Sequence, residues 1–388
     1  MAGASLSALF EATEAVLARG IDEALDEDIE SEELNDLVNG AIAHTLVRLH
    51  AFASPGSEST SAEIVSANGL TAPNVAKVLD RWMARLVTSG DLEVSGEHSF
   101  RAPKRLEEPD LGAMLVRARM AHPHASPVLA FVERCAREAV EFMREEVTAF
   151  DLYLPDGSRE LTDFLYSESK TARLFNSAIG EALRATIKEL GGEAKREIAI
   201  LEIGAGSGGT TTSIVPVASE TCNAANVPFA YTYTDVSMYF APKVKKRLAA
   251  FPEVQYRKLD LEADSLAQGF VAHTFDVIVA ANVVHTTRDV VASMRNIASL
   301  LRPGGFVIVW ELSSSRSWFD VTLGLLDGWN RHDDRFRRES PLLSASVWKE
   351  VFSAADFENV LALGGESASA SQSLGQAILI GRTTAVTS

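Results

Sequence analysis

Ile198-Ala-Ile-Leu-Glu-Ile-Gly-Ala-Gly-Ser-Gly-Gly-Thr210 is the stretch whose reading decides the fold. Its first six residues form an apolar run interrupted only by Glu202, which reads as a strand buried on both faces. Glycines at 204, 206, 208 and 209 then break the run, and a helical pattern follows from Thr211 to Val217. Strand, glycine turn and helix open a nucleotide-binding βαβ unit. A Cβ in such a turn would hold a ligand away from the backbone amides, and the start of the helix offers N–H groups to something polar or anionic.

The glycines alone leave the ligand open. Gly204, Gly206 and Gly209 also satisfy G-x-G-x-x-G, so NAD(P) and S-adenosyl-L-methionine (SAM) are both compatible with the motif. The neighbours favour SAM. Glu202 stands two residues before the first glycine, where a carboxylate can meet the amino group of a methionine moiety. A second strand, Phe229–Asp235, ends in an acid suited to ribose hydroxyls. A third, Val254–Leu261, ends in Asp260-Leu261, an acid-apolar pair suited to adenine. This set resembles the class I SAM-dependent methyltransferases. The resemblance implies an α/β fold, a Rossmann-like and mostly parallel seven-stranded sheet. It also implies SAM as cofactor, S-adenosyl-L-homocysteine as its product, and Glu202, Gly204, Gly206, Gly208, Asp235, Val236, Asp260, Leu261 and Asn282 as cofactor-binding residues.

The rest of the C-terminal half keeps alternating. Phe275–Asn282 is a fourth strand, Arg288–Leu301 a helix, Arg302-Pro-Gly-Gly305 a tight turn and Phe306–Glu311 a fifth strand. Helices are expected around Trp318–Trp329 and Ala345–Ala355. Asn359–Leu363 and Gln376–Gly381 are the last strands, joined by a Ser-rich loop, Gly364–Ser373. Alternation implies a parallel sheet with right-handed crossovers. The last pair lacks an intervening helix and should be antiparallel.

The N-terminal half is helical and acidic. Leu34, Leu37, Val38, Ile42, Leu46 and Leu49 recur at helical spacing within Ser5–His50. A helix over Thr60–Ala67, a turn at Asn68-Gly69, a second helix over Thr71–Val87 capped by Thr71, and a hairpin over Leu92–Phe100 resemble a winged helix. Only Lys77, Arg81 and Arg85 make its second helix basic, so a packing role is favoured over DNA recognition. Residues Leu161–Leu190 read as one or two helices ahead of the glycine motif, of the kind that caps a SAM cleft. Three regions are expected: a helical, winged-helix-like domain over 1–110, a helical lid or linker over 111–195, and the methyltransferase core over 196–388.

Composition narrows the function classes. The chain has 388 residues, 46% of them hydrophobic, and a net charge of −17. Nucleic-acid binding would have to overcome that field. No apolar run reaches the ~18 residues of a membrane span, and no leader is evident, so a cytoplasmic setting is expected. Two cysteines, Cys135 and Cys222, suggest free thiols in a reducing compartment, and the lack of CxxC or HExxH argues against a metal. Arg331, Arg335, Arg337 and Arg338 form a local basic cluster. It reads better as a solvated helix face balanced by Asp333, Asp334 and Glu339 than as a docking site for an acidic partner.

In an open α/β sheet, ligands sit beyond the carboxyl ends of the strands, so catalytic groups should hang there. His285 follows the fourth strand and Glu311 ends the fifth. Adjacent strands lie about 4.8 Å apart, which lets the two side chains meet. An imidazole titrating near pH ~6.5 can accept a proton at neutral pH, and a carboxylate on its far nitrogen fixes the tautomer. Such a base suits a carbon nucleophile, which must become an enolate before it can accept a methyl group.

Leu201-Glu-Ile-Gly-Ala-Gly-Ser-Gly-Gly-Thr-Thr, Tyr233-Thr-Asp-Val-Ser, Ala281-Asn-Val-Val-His-Thr-Thr, Leu301-Arg-Pro-Gly-Gly and Leu325-Leu-Asp-Gly-Trp329 together resemble the C-methyltransferase domain of fungal non-reducing polyketide synthases. Ser340-Pro-Leu-Leu-Ser with Trp348 is similar too. The resemblance implies α-carbon methylation of a β-ketoacyl thioester on the phosphopantetheine arm of an acyl carrier domain of the same synthase, with His285 and Glu311 as the catalytic dyad. It further implies Trp329 on the substrate side, while Tyr166, from its place in the helical segment ahead of the glycine motif, reads as the aromatic nearest the ligand or as a core tyrosine. Asn330 stands where many relatives have a second Trp. The rival readings are a free-standing small-molecule O-methyltransferase and a non-enzymatic module that has lost SAM.

Overall fold

The computed structural model describes residues 2–193, 196–338, 340–363 and 374–384. Seven strands form the main sheet: β1 (Ile198–Ile203), β2 (Phe229–Asp235), β3 (Val254–Lys258), β4 (Phe275–Ala281), β5 (Leu301–Leu312), β6 (Phe357–Leu363) and β7 (Gln376–Thr383). Their order is β3-β2-β1-β4-β5-β7-β6. The pairs from β3 to β5 are parallel, and β7 runs antiparallel to both β5 and β6. The chain order reverses between β1 and β4, which makes the crevice beyond their carboxyl ends the switch point.

Side chains alternate between the two faces of the sheet. On one face Ile198, Ile200, Tyr231, Val277, Val279, Ile308 and Ile378 pack with helices α1 (Ala2–Leu25), α2 (Lys170–Glu193) and α3 (Gly209–Ala224). On the other, Leu201, Ile203, Ile278, Val307 and Val309 pack with α4 (Val290–Leu300) and α5 (Ala345–Ala354), whose Trp348 is fully buried. Burial on both faces is why these strands are near-continuous apolar runs.

Packing divides the chain into two compact units, and the division does not follow the linear boundaries expected above. Met1–Asp26, Thr162–Ser314 and His332–Ser388 form the sheet unit, while Glu27–Leu161 and Ser315–Arg331 form a helical unit. The first helix is separated from the sheet by some 170 residues of chain in sequence, yet Leu9, Leu17 and Ile21 share the core of α2 and the sheet.

The helical unit contains the helix–helix–hairpin array. Thr60 and Glu63 form a capping box on the helix Ser61–Asn68, and Glu93–Gly96 pairs antiparallel with Ser99–Arg101. The second helix runs over Val75–Ser89 rather than from Thr71. Asn74 takes a left-handed φ of 63°, so the helix cannot start earlier, and the N–H groups of Thr71 and Ala72 ahead of it both donate to Met143 O at 3.0 Å. Its basic residues face inward within this unit: Arg81 binds Asn330 Oδ1 and Gly324 O, Arg85 binds Asp320, Asn35 and Asn39, and Lys77 binds Asn330 O.

Three other local expectations change. Arg302–Gly305 is no separate turn but an irregularity inside β5, between residues paired with Phe275 and Val277. The Trp318–Trp329 segment makes two 3-10 turns and one short helix, Asp327–Asn330, instead of longer helices. The segment around Arg337 is not a helix. The expected loop Gly364–Ser373 and the expected counter-charge Glu339 lie outside the described residues.

Candidate active site

The glycine turn joins β1 to α3, and each glycine there answers to a different neighbour. A Cβ on Gly204 would sit 2.4 Å from Val283 Cγ2, and one on Gly208 would sit 2.6 Å from Val244. Gly209 is pressed by the Tyr166 carbonyl, 2.5 Å from where its Cβ would be. Gly206 is different: at φ +50° a Cβ would meet only Gly204 O, at 3.8 Å. Space is therefore left above Gly206 and nowhere else in the turn.

The acids at the strand ends have distinct settings. Asp235 accepts Gly206 N at 2.9 Å on one carboxylate oxygen and Ser237 N at 2.8 Å on the other. Burial pushes its carboxyl up, against the lowering effect of these two N–H groups. An ionised carboxylate has about four lone-pair sites, so capacity remains for hydroxyl donors. Val236 beside it is 58% exposed. Asp260 Oδ1 accepts Glu262 N at 2.9 Å, and its own N–H donates to Gln268 Oε1. Leu261 is buried.

Glu202 is set inside the sheet. It is 1% exposed, and its Oε2 accepts both Thr211 Oγ1 at 2.6 Å and Tyr231 OH at 2.7 Å. Burial pushes its carboxyl up to about 7, although the two hydroxyls pull the other way. Neither Thr211 nor Tyr231 is singled out by sequence; the signal was a hydroxyl-bearing residue on an otherwise apolar face.

Beyond β4 the chain makes a 3-10 turn, Val284–Thr286. Asn282 precedes it at φ 52°, with its N–H donating to Trp310 O at 2.6 Å. Its buried Oδ1 has no hydrogen-bond partner among the described residues. His285 is 4% exposed and Glu311, at the end of β5, is fully buried. The imidazole Nδ1 is hydrogen-bonded to Glu311 Oε2. The other oxygen, Oε1, accepts Val284 N at 2.7 Å and Val283 N at 3.2 Å, with His285 N farther away at 3.4 Å. One carboxylate thus fixes both the backbone of the turn and the ring it carries.

The pair meets because β4 and β5 are adjacent and parallel, with Ala281 opposite Trp310. A further group acts beneath it. Arg337, 2% exposed, donates to the carbonyls of His285 and Thr287 at 2.7 Å and of Arg288 at 2.9 Å, and pairs with Asp334. The expectation of a solvated Arg331–Arg338 face fails at this residue, because three carbonyls and a carboxylate satisfy its guanidinium in the interior.

Tyr166 lies in a single π-turn, Phe164–Glu168, at the entry to α2. Its carbonyl accepts Asn176 Nδ2 at 2.8 Å beside Gly209, so its backbone borders the glycine turn. Such turns recur at functional sites. Trp329 belongs to the helical unit, where it is 8% exposed and edge-on to Phe319. Asn330 is buried there, donating to Gly324 O and Leu326 O.

The lining fits SAM. Room above Gly206, carboxylates at the ends of β2 and β3, and the orphaned Asn282 oxygen suit a ligand with hydroxyl, amino and adenine groups.

Comparison with known proteins agrees with this chemistry. The Methyltransf_12 family, a methyltransferase domain, matches residues 201–307. The chain is 36% identical over 172 residues to a highly reducing polyketide synthase from Penicillium soppii, covering 44% of this chain and 7% of that protein. It is 30% identical over 242 residues to the methyltransferase CalH of Penicillium decumbens, covering 62% of each. The chain spans less than a tenth of the length of the synthases it matches first, at 7%, 4% and 6%. Among solved structures, the CurJ carbon methyltransferase is similar with a TM-score of 0.85 and 26% identity, over 96% of this chain and 99% of that one. The DszA carbon methyltransferase gives 0.82 and 28%, over 95% and 94%. The CMeT domain of the citrinin polyketide synthase, at 0.77 and 21% over 98% and 96%, shares the fold. With the switch-point crevice, the strand-end acids and these relatives taken together, the chain is a SAM-dependent carbon methyltransferase, similar to those of polyketide synthases.

Proposed function

We propose that this domain methylates the α-carbon of a β-ketoacyl thioester held on the phosphopantetheine arm of an acyl carrier domain, and that His285 generates the enolate. The observation that carries the reading is the buried His285–Glu311 pair at the carboxyl ends of two adjacent strands. With Nδ1–H donated to Glu311, the lone pair resides on Nε2, the proton-accepting position. The carbon between two carbonyls is the most acidic in such a thioester. Its proton passes to Nε2, and Glu311 stabilises the imidazolium that forms. Glu311 also keeps the ring still, since its second oxygen is committed to the backbone of the same turn. Burial excludes water that would otherwise solvate the carbanion.

SAM, when bound, supplies a sulfonium-activated methyl group and leaves as S-adenosyl-L-homocysteine. Gly204, Gly206 and Gly208 would carry it across the turn, Asp235 with Val236 would hold its ribose, and Asp260 with Leu261 its adenine. Glu202 and Asn282 would complete the methionine side. Tyr166 stays with this reading as a substrate-side aromatic, and Trp329 as the resemblance gives it. The reading takes the chain as one domain of a longer cytoplasmic synthase, with the carrier on the same polypeptide and no nucleic-acid partner.

Incubation of a carrier-bound di-, tri- and tetraketide series with SAM, followed by mass spectrometry, tests this. Methyl gain at carbon on at least one member is expected. Methyl transfer to a phenolic oxygen, with none to the thioesters, would overturn it in favour of a small-molecule O-methyltransferase.

A further inference from the structure

The turn that carries His285 is held from two sides by buried charges. Glu311 takes its N–H groups, from Val283 to His285. Its carbonyls are taken by Arg337, which donates Nη1 to His285 O at 2.7 Å and Nη2 to Thr287 O at 2.7 Å and Arg288 O at 2.9 Å. We infer that Arg337, locked by Asp334, is a positioning residue for the methyl-transfer reaction, setting where the His285 ring stands by fixing the carbonyl side of its backbone. This inference rests on His285 being the base.

Three observations support it. First, the guanidinium is itself immobilised: Nε donates to Asp334 Oδ2 at 2.7 Å, and Nη2 lies 2.6 Å from the same oxygen. Asp334 is fixed in turn, since Oδ1 accepts Phe336 N at 2.9 Å and Arg337 N at 3.0 Å, and Oδ2 accepts Val290 N at 3.3 Å. Burial would raise the Asp334 carboxyl, but the guanidinium and these N–H groups outweigh it and hold it below its ordinary value. Second, the side chains of Arg337 and Asp334 are 0% and 3% exposed. A long charged side chain is rarely buried without full pairing, and among the described residues its side-chain hydrogen bonds beyond Asp334 go to the carbonyls of His285, Thr287 and Arg288. Third, the strap is stitched at a second point, where Asp333 N donates to Arg288 O at 3.1 Å. The fork shape matters: a planar guanidinium can serve three carbonyls and a carboxylate in one plane, whereas an ammonium is a compact point charge.

The test separates positioning from plain structural support. Arg337→Ala, Arg337→Lys and Asp334→Asn are compared with the unaltered domain for melting midpoint, SAM affinity by calorimetry, and kcat and KM for a carrier-bound β-ketoacyl thioester. Arg337→Lys restores the charge opposite Asp334 but not the fork. It is expected to recover the melting midpoint and SAM affinity relative to Arg337→Ala, while kcat stays down by about 10- to 100-fold with KM unchanged. Recovery of kcat together with the melting midpoint would reduce Arg337 to a structural residue and overturn the inference. Should both Arg337 variants fail to fold, Asp334→Asn, which keeps the shape but loses the countercharge, decides. A lowered kcat at an intact midpoint upholds the inference, and an unchanged kcat overturns it. His285→Ala runs alongside. If it keeps its turnover, the base assignment fails whatever Arg337 does. If it loses turnover while Arg337→Lys keeps it, only the positioning role fails.

Discussion

The two halves of the proposed site are built on opposite principles. From β1 to β2 the cofactor half works by leaving side chains out. Gly204, Gly206 and Gly208 keep positive φ, Gly204 and Gly208 are closely approached by valines, and backbone amides fix the Asp235 carboxylate. From β4 to β5 the histidine half works by putting charged side chains in. Glu311 and Arg337 are buried, and the backbone around one short turn takes their hydrogen bonds, with Asp334 holding the guanidinium. The first half should break when atoms are added, the second when atoms are removed. Gly204 against Val283 is where the two meet.

The largest expected effect is in the histidine half. His285→Ala should lower kcat by about 10³-fold, within the range for loss of a general base, while calorimetry shows SAM affinity unchanged. Loss of both in parallel would merge the halves and undo the comparison.

Next comes the carboxyl inside the cofactor half. Glu202 titrates near 7 in the fold against an ordinary 4.5, because burial disfavours its charged form. The folded state therefore holds the proton more tightly between those values. Stability from this group is complete below pH 4.5 and is lost as pH rises to about 7, a fall of about 3 kcal/mol at 1.36 kcal/mol per unit. Glu202→Gln should flatten denaturant-derived stability across that window. A slope identical to the unaltered protein would show that the buried carboxyl is not its source.

Gly204→Ala should cost about 1–3 kcal/mol of stability, from a contact at 2.4 Å and a strained φ. Because it pushes on Val283, it should also lower kcat. Gly206→Ala is the sharper control. Its Cβ meets nothing closer than 3.8 Å, so stability should drop least, by about 1 kcal/mol, while SAM affinity falls. If both glycine variants behaved alike, the distinction between a packed and an open glycine would be lost.

The same contrast explains what was legible in the sequence. β1, β2 and β4 announced themselves because strands buried on both faces are apolar runs, and the glycine turn follows in a dozen residues. His285 and Glu311 were legible because strand ends in an open α/β sheet converge on one crevice. Arg337 was not. A run of arginines interleaved with aspartates has the composition of a solvated surface, and only tertiary structure shows that one of them turns inward to meet carbonyls 49 to 52 residues earlier. The place of α1 on the sheet was equally hidden, since no local pattern tells an amphipathic helix which distant core it joins. Thr71 was a reasonable cap by residue type, but Asn74 takes a left-handed φ of 63° that a right-handed helix cannot contain, so the helix starts at Val75.

The most direct measurement is deuterium uptake at the α-carbon of a β-ketoacyl thioester in heavy water, with SAM absent. Uptake above the solvent rate is predicted for the unaltered domain, and a return to the solvent rate for His285→Ala. Uptake that survives loss of the imidazole would contradict it, because the proton would then be leaving without the base on which the whole arrangement of buried charges is centred.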